Sequence, residues 1–114
     1  MTIWKFAIRL DETAQVKMPQ GARLLSVAMQ HGLLCVWAVV EESAPQVTRT
    51  LYVRGTGHPL GAAQAKDYVG TAHDVEHAFV WHVFDGWEAN APSAVAVLSE
   101  GTVTGTDGPD QDCG

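Results

Sequence analysis

The chain has 114 residues, of which 46% are hydrophobic and 18% charged, and its formal net charge is −6. That is enough chain for one domain and not two, and it is too apolar for a wholly disordered polypeptide, a collagen-like repeat or a long coiled coil. The longest uncharged apolar run, Leu33 to Val40, is too short for a membrane-spanning helix, and Met1 to Phe6 lacks the basic-then-apolar order of a signal peptide.

The acidic excess belongs to one end. Residues 1–84 balance Lys5, Arg9, Lys17, Arg23, Arg49, Arg54 and Lys66 against Asp11, Glu12, Glu41, Glu42, Asp67, Asp74 and Glu76. Residues 85–114 carry Asp85, Glu88, Glu100, Asp107, Asp110 and Asp112 with no Lys or Arg. Duplex binding needs clustered cations that displace counterions from phosphates, and no such cluster is visible, so duplex nucleic acid is not an expected partner.

In chain order the first element is a strand, because Trp4, Phe6, Ile8 and Leu10 alternate with Lys5, Ala7 and Arg9. Asp11 to Ala14 is a polar break, and Gln15 to Met18 alternates again. Met18-Pro19-Gln20-Gly21 has turn chemistry, with Pro presetting one backbone angle and Gly supplying the unusual one. Arg23 to Gln30 places Leu25, Val27 and Met29 on one predicted face. His31-Gly32 then separates it from Leu33 to Val40, the pattern of a tight hairpin. Leu33 to Val40 is apolar on both faces, which predicts a central strand covered on both sides or a strand with one face in an interface. Glu41 to Pro45 is a loop. Val47 to Arg54 alternates, with Val47, Leu51 and Val53 on the Arg49 side and Tyr52 opposite. Leu60 to Asp67 is alanine-rich, with the composition of one or two helical turns weakened by Gly61. Tyr68 to Ala72 and His77 to Phe84 are the last predicted strands, joined by the polar connector His73 to Glu76.

These elements predict an all-β fold, a small antiparallel sandwich or barrel of about seven short strands. The compact domain is expected over residues 1–85. From Gly86 onward Ala, Gly, Thr, Ser, Pro and acids dominate, so residues 86–114 are expected to form a disordered acidic tail. The doubly apolar strand points to a homo-oligomer.

Catalytic signals are missing. Ser26, Ser43, Ser93 and Ser99 lack a nucleophile-elbow setting, and Cys35 sits in apolar sequence with no activating neighbour. Cys113, next to last, reads as a loose thiol and not as half of a structural disulfide. His73 and His77 have a metal-bridging spacing only on a helix, and here they fall on a connector, so no metal or other cofactor is expected. The most ligand-like loop is Gly55-Thr56-Gly57-His58. Its glycines let main-chain N–H groups approach an anion, and Arg54 stands beside it. It is neither a P-loop nor a dinucleotide fingerprint. Trp37, Trp81, His82 and Tyr52 are candidates to line a groove that stacks on a planar ligand.

Six blocks carry a resemblance: Trp4-Lys5-Phe6; Met18-Pro19-x-Gly21-Ala22-x-Leu24-Leu25-Ser26-Val27; Gln30-x-Gly32-x-x-Cys35-Val36-Trp37-Ala38-Val39-Val40; Gly55-Thr56-Gly57-His58-Pro59; Tyr68-Val69-Gly70-Thr71; and Val80-Trp81-His82-Val83-Phe84. Over residues 2–85 the chain resembles a family of small proteins of unknown function encoded by bacteriophages and prophages. The resemblance implies a phage product acting in the host cytoplasm, and it supplies no catalytic residues. The expected function is that of a non-enzymatic accessory protein that binds a host molecule, with an anionic nucleotide-like signal as the small-ligand version. The alternative is an oligomeric structural or protein-docking module with no small ligand.

Overall fold

The computed structural model describes residues 1–88. Seven strands form two antiparallel sheets: β1 (Thr2–Ile8), β2 (Thr13–Pro19), β3 (Arg23–Gln30), β4 (Leu33–Val40), β5 (Gln46–Gly55), β6 (Tyr68–Asp74) and β7 (Phe79–Glu88). One sheet has the order β1-β4-β3 and the other β2-β5-β7-β6. The expected all-β sandwich is therefore the observed fold. Among the described residues no helix is long and apolar enough to cross a membrane.

Alternation builds the core. Phe6 and Ile8 from β1 and Leu34, Val36, Ala38 and Val40 from β4 face inward from the first sheet. Val16 and Met18 from β2, Leu51 and Val53 from β5, and Val83 from β7 meet them from the second. This core is aliphatic, and of the aromatic residues only Phe6 and Phe84 are buried. Trp4 and Trp81 are partly buried against this core, whereas Tyr68, Phe79 and Trp87 are exposed.

The β3–β4 hairpin forms where the sequence predicts it. His31 and Gly32 both have positive φ, 54° and 79°, the pair of left-handed residues that a two-residue turn needs to match strand twist. β4 is central, pairing β1 on one side and β3 on the other.

Four expectations are corrected. The pairing register of β3 shifts between Leu24 and Ser26, so the strand changes phase: Leu24, Val27 and Met29 pack on the core while Leu25 is 41% exposed. A β-bulge is invisible to a period-two reading. β1 stops at Ile8, leaving Leu10 exposed, and the alanine-rich segment gives only a 3-10 turn at Ala65–Asp67. β7 runs to Glu88, so Gly86, Trp87 and Glu88 belong to a strand and not to a tail. The expectation for residues 89–114 lies outside the described residues.

A buried ion cluster explains why β7 continues. Arg49 is 2% exposed on the core side of β5 and forks onto Asp85, Nε to Oδ1 at 2.9 Å and Nη2 to Oδ2 at 2.6 Å. Its Nη1 donates to the Ala22 carbonyl at 2.9 Å and lies 3.4 Å from Glu88 Oε2. The Trp87 ring covers the guanidinium at 5.0 Å, and its indole N–H donates to Asp67 at 3.0 Å. Glu88 also accepts the Gly21 N–H. The cluster thus ties the end of β7 to β5, to the β2–β3 turn and to the 3-10 turn.

Candidate functional site

The Gly55–His58 segment is a tight corner at the end of β5, closed by the His58 N–H donating to the Gly55 carbonyl at 3.1 Å. The His58 ring folds back over Gly55, where an added Cβ would sit 3.0 Å from two ring atoms. A side chain at Gly55 would therefore press on the exposed His58 ring. Opposite this corner is the start of β7. Its alternation puts Phe79 and Trp81 on one face, with ring centroids 5.5 Å apart, and His77 stacks on Phe79 at 6.4 Å. Between corner and strand lies an open groove of about 350 Å³, lined by Gly55, Thr56, His58, Phe79, Val80 and Trp81 among others.

The groove brings together four of the residues singled out from sequence: Gly55, Thr56, His58 and Trp81. Gly57 sits at the exposed tip of the corner with φ 92° and does not line the groove. His82 points to the opposite face of β7. There its Nε2 lies 2.8 Å from the Thr56 hydroxyl and its Nδ1 3.0 Å from the Thr71 hydroxyl, which in turn bonds the Tyr68 hydroxyl. His82 thus anchors the corner through Thr56 and leaves the groove lining to its strand neighbours.

Arg54 is spent on structure. Its Nε donates to the Leu60 carbonyl at 2.9 Å, and Nη1 donates to the carbonyls of Glu12 and Val53. Its guanidinium also lies over the Tyr52 ring at 5.3 Å. With 9% exposure and carbonyl partners, it is a clamp on the 55–60 loop and does not line the groove. The structure therefore sets Arg54 on main-chain carbonyls beside the glycine corner and outside the groove lining.

Trp37 belongs elsewhere. It stands on the outer face of the β1-β4-β3 sheet, in a shallow depression with Ile3, Leu25 and Ser26. The two tryptophans expected to act together therefore lie on different sheets.

Phe79 is the groove residue that the sequence reading passed over. The available signal was its position two residues before Trp81, which on a strand means the same face.

His73 and His77 do not converge. His73 is the sixth residue of β6, whereas His77 lies in the following turn and pairs with Asp74, Nδ1 to Oδ2 at 3.0 Å. Asp74 also accepts the His77 N–H at 3.2 Å, so the pair closes the hairpin. Among the described residues no group of three or more His, Cys, Asp and Glu is placed to hold a metal ion. Cys35 is fully buried.

No curated protein and no solved structure matches the chain. A family model described as a domain of unknown function (DUF7352) matches residues 1–94, most of the sequence. The chain belongs to that uncharacterised family.

Proposed function

We infer that this is a non-enzymatic binding protein whose ligand site is the groove between the Gly55–His58 corner and the start of β7. One observation carries the reading: two aromatic rings, Phe79 and Trp81, stand beside a corner that presents the His58 ring and is anchored from behind by the Thr56–His82 bond. Phe79 is 54% exposed, and an exposed ring next to positioned polar groups suits a planar ring of the nucleobase kind. The groove residues include no Lys or Arg, so the ring and its edge groups supply recognition, and a phosphate would meet only the corner N–H groups and His58. The resemblance to phage and prophage proteins supports a host molecule as the ligand, with sequestration as the consequence of binding.

The test is a thermal-shift and calorimetric panel of nucleobases, nucleosides and cyclic nucleotides on the full chain. A ligand at a hundredfold excess over its Kd stabilises a fold by about 2.7 kcal/mol, which moves the Tm of a domain this size by roughly 10 °C or more. Phe79→Ala is expected to keep the fold and cut affinity at least tenfold. No shift with any member, or a shift that survives both Phe79→Ala and His58→Ala, contradicts the reading.

A second reading, an oligomeric or docking module without a small ligand, draws on the apolar outer face of β1-β4-β3. The two use different surfaces, so Phe79→Ala affects only the first.

A further inference from the structure

A row of polar side chains crosses the outer face of the four-stranded sheet at the end nearest the glycine corner. The register sets Thr71 of β6 beside His82 of β7, and Thr56 lies just past the end of β5. The Thr56 hydroxyl is 2.8 Å from His82 Nε2, His82 Nδ1 is 3.0 Å from the Thr71 hydroxyl, and that hydroxyl bonds the Tyr68 hydroxyl. Thr56 is exposed, whereas His82 and Thr71 are half-buried. Anchoring the corner accounts for the first of these bonds. The other two hold the imidazole itself.

A hydroxyl within hydrogen-bond reach of an imidazole, with a third group fixing that ring, is the arrangement that activates a hydroxyl as a nucleophile. Every member of the row is satisfied when Nδ1–H donates to Thr71, Thr71 donates to the Tyr68 oxygen, and the Nε2 lone pair accepts the Thr56 hydroxyl. The residue after Thr56 is Gly57, exposed at the tip of the corner with φ 92°. In acyl transfer the main-chain N–H of the residue after the nucleophile commonly stabilises the carbonyl oxygen as charge develops on it. The neighbouring His58 N–H is committed to the Gly55 carbonyl, which leaves that part to Gly57.

We propose that Thr56 is an acyl-acceptor site, with His82 as its general base and Thr71 as the positioning residue that fixes the His82 ring. The donor is a small activated acyl compound, an ester or thioester with a good leaving group. Thr56 Oγ1 attacks the carbonyl carbon and its proton passes to His82 Nε2. A bond forms between Oγ1 and the acyl carbon, the bond from that carbon to the leaving group breaks, and His82 returns the proton to the leaving oxygen or sulfur. The product is a chain esterified at Thr56. The step takes place on the outer face of β7, away from Phe79 and Trp81, so it does not rest on the groove as a ligand site.

The test is incubation of the full chain with p-nitrophenyl acetate, with samples quenched in acid from the first seconds onward and mapped by peptide mass spectrometry. The expected result is an acetyl group on Thr56 that Thr56→Ser retains on the new serine hydroxyl. His82→Gln is expected to slow this labelling roughly a hundredfold or more, the contribution of a positioned base. Thr71→Val is expected to slow it by a smaller factor, and Thr71→Ser to restore it. That second pair carries the test if His82→Gln fails to fold. Acetyl that accumulates on Thr56 and acetyl that turns over with continued nitrophenolate release both support the site; turnover would in addition contradict the non-enzymatic reading of the chain. Acetyl on lysines or the N-terminus with Thr56 bare from the earliest sample overturns the proposal. So does a Thr56 label that forms as fast in His82→Gln as in the wild type.

Discussion

Asp85→Ala strips the counter-ion from a guanidinium that is 2% exposed. Arg49 would keep the Ala22 carbonyl and a longer contact to Glu88, but its bidentate partner would be gone. The Trp87 main-chain N–H would also lose its acceptor, Asp85 Oδ1 at 2.7 Å. Breaking a buried pair by removing one partner costs about 3–5 kcal/mol, because the remaining charge stays desolvated and uncompensated. Against a total stability of about 5–15 kcal/mol that is a large fraction, and for a domain of this size it lowers Tm by roughly 15–30 °C. Replacing both partners, Arg49→Met with Asp85→Leu, removes the charge along with its counter-ion and is expected to recover most of the loss. Urea unfolding followed by tryptophan fluorescence on wild type, Arg49→Met, Asp85→Leu and the double variant gives the full cycle, with Asp85→Ala measured beside it. A loss below about 1 kcal/mol for Asp85→Ala would refute the reasoning, since no buried charge would then have been stranded. A double variant as unstable as Asp85→Ala would refute it in another way, because packing and not charge would be holding this corner.

Two further predictions concern the site's frame and the hairpin. Arg54→Ala is expected to destabilise the domain by about 2 kcal/mol, since three carbonyls lose a charged donor, while leaving ligand affinity within twofold; a large affinity loss without a stability loss in the same urea and calorimetric measurements would return Arg54 to the ligand surface. Gly32→Ala, at φ 79° with nothing within 4 Å of the new Cβ, is expected to cost about 1 kcal/mol in urea melts from backbone strain alone, and Gly32→Asn less; equal stability of all three would show that the turn does not need its left-handed residue.

The strands were legible because one face of each is buried, which forces alternation onto the sequence. β4 stood out as central because its other face is apolar too. The Leu25 phase change was not legible, since a bulge adds one residue without changing composition. The Arg49–Asp85 pair joins positions 36 apart, and Asp85 lies where the sequence turns acidic and small, so composition hid a core element. The site was half legible for a similar reason. Gly55, Thr56, His58 and Trp81 share one end of the four-stranded sheet. Trp37 is as aromatic as Trp81 but belongs to the other sheet, and strand-to-sheet assignment is a long-range property. Arg54 looked available because its partners are main-chain carbonyls, which no sequence pattern marks.

The central claim, that the corner and the start of β7 form a ligand site, is tested most directly by ¹H–¹⁵N correlation spectra of the full chain at constant protein concentration. The titrant is the nucleobase, nucleoside or cyclic nucleotide that gives the largest thermal shift. The account predicts saturable shifts at the Thr56–His58 and Ala78–Trp81 amides with the Trp37 indole unmoved. Shifts centred on Trp37 and Leu25, or none for any compound, would contradict it.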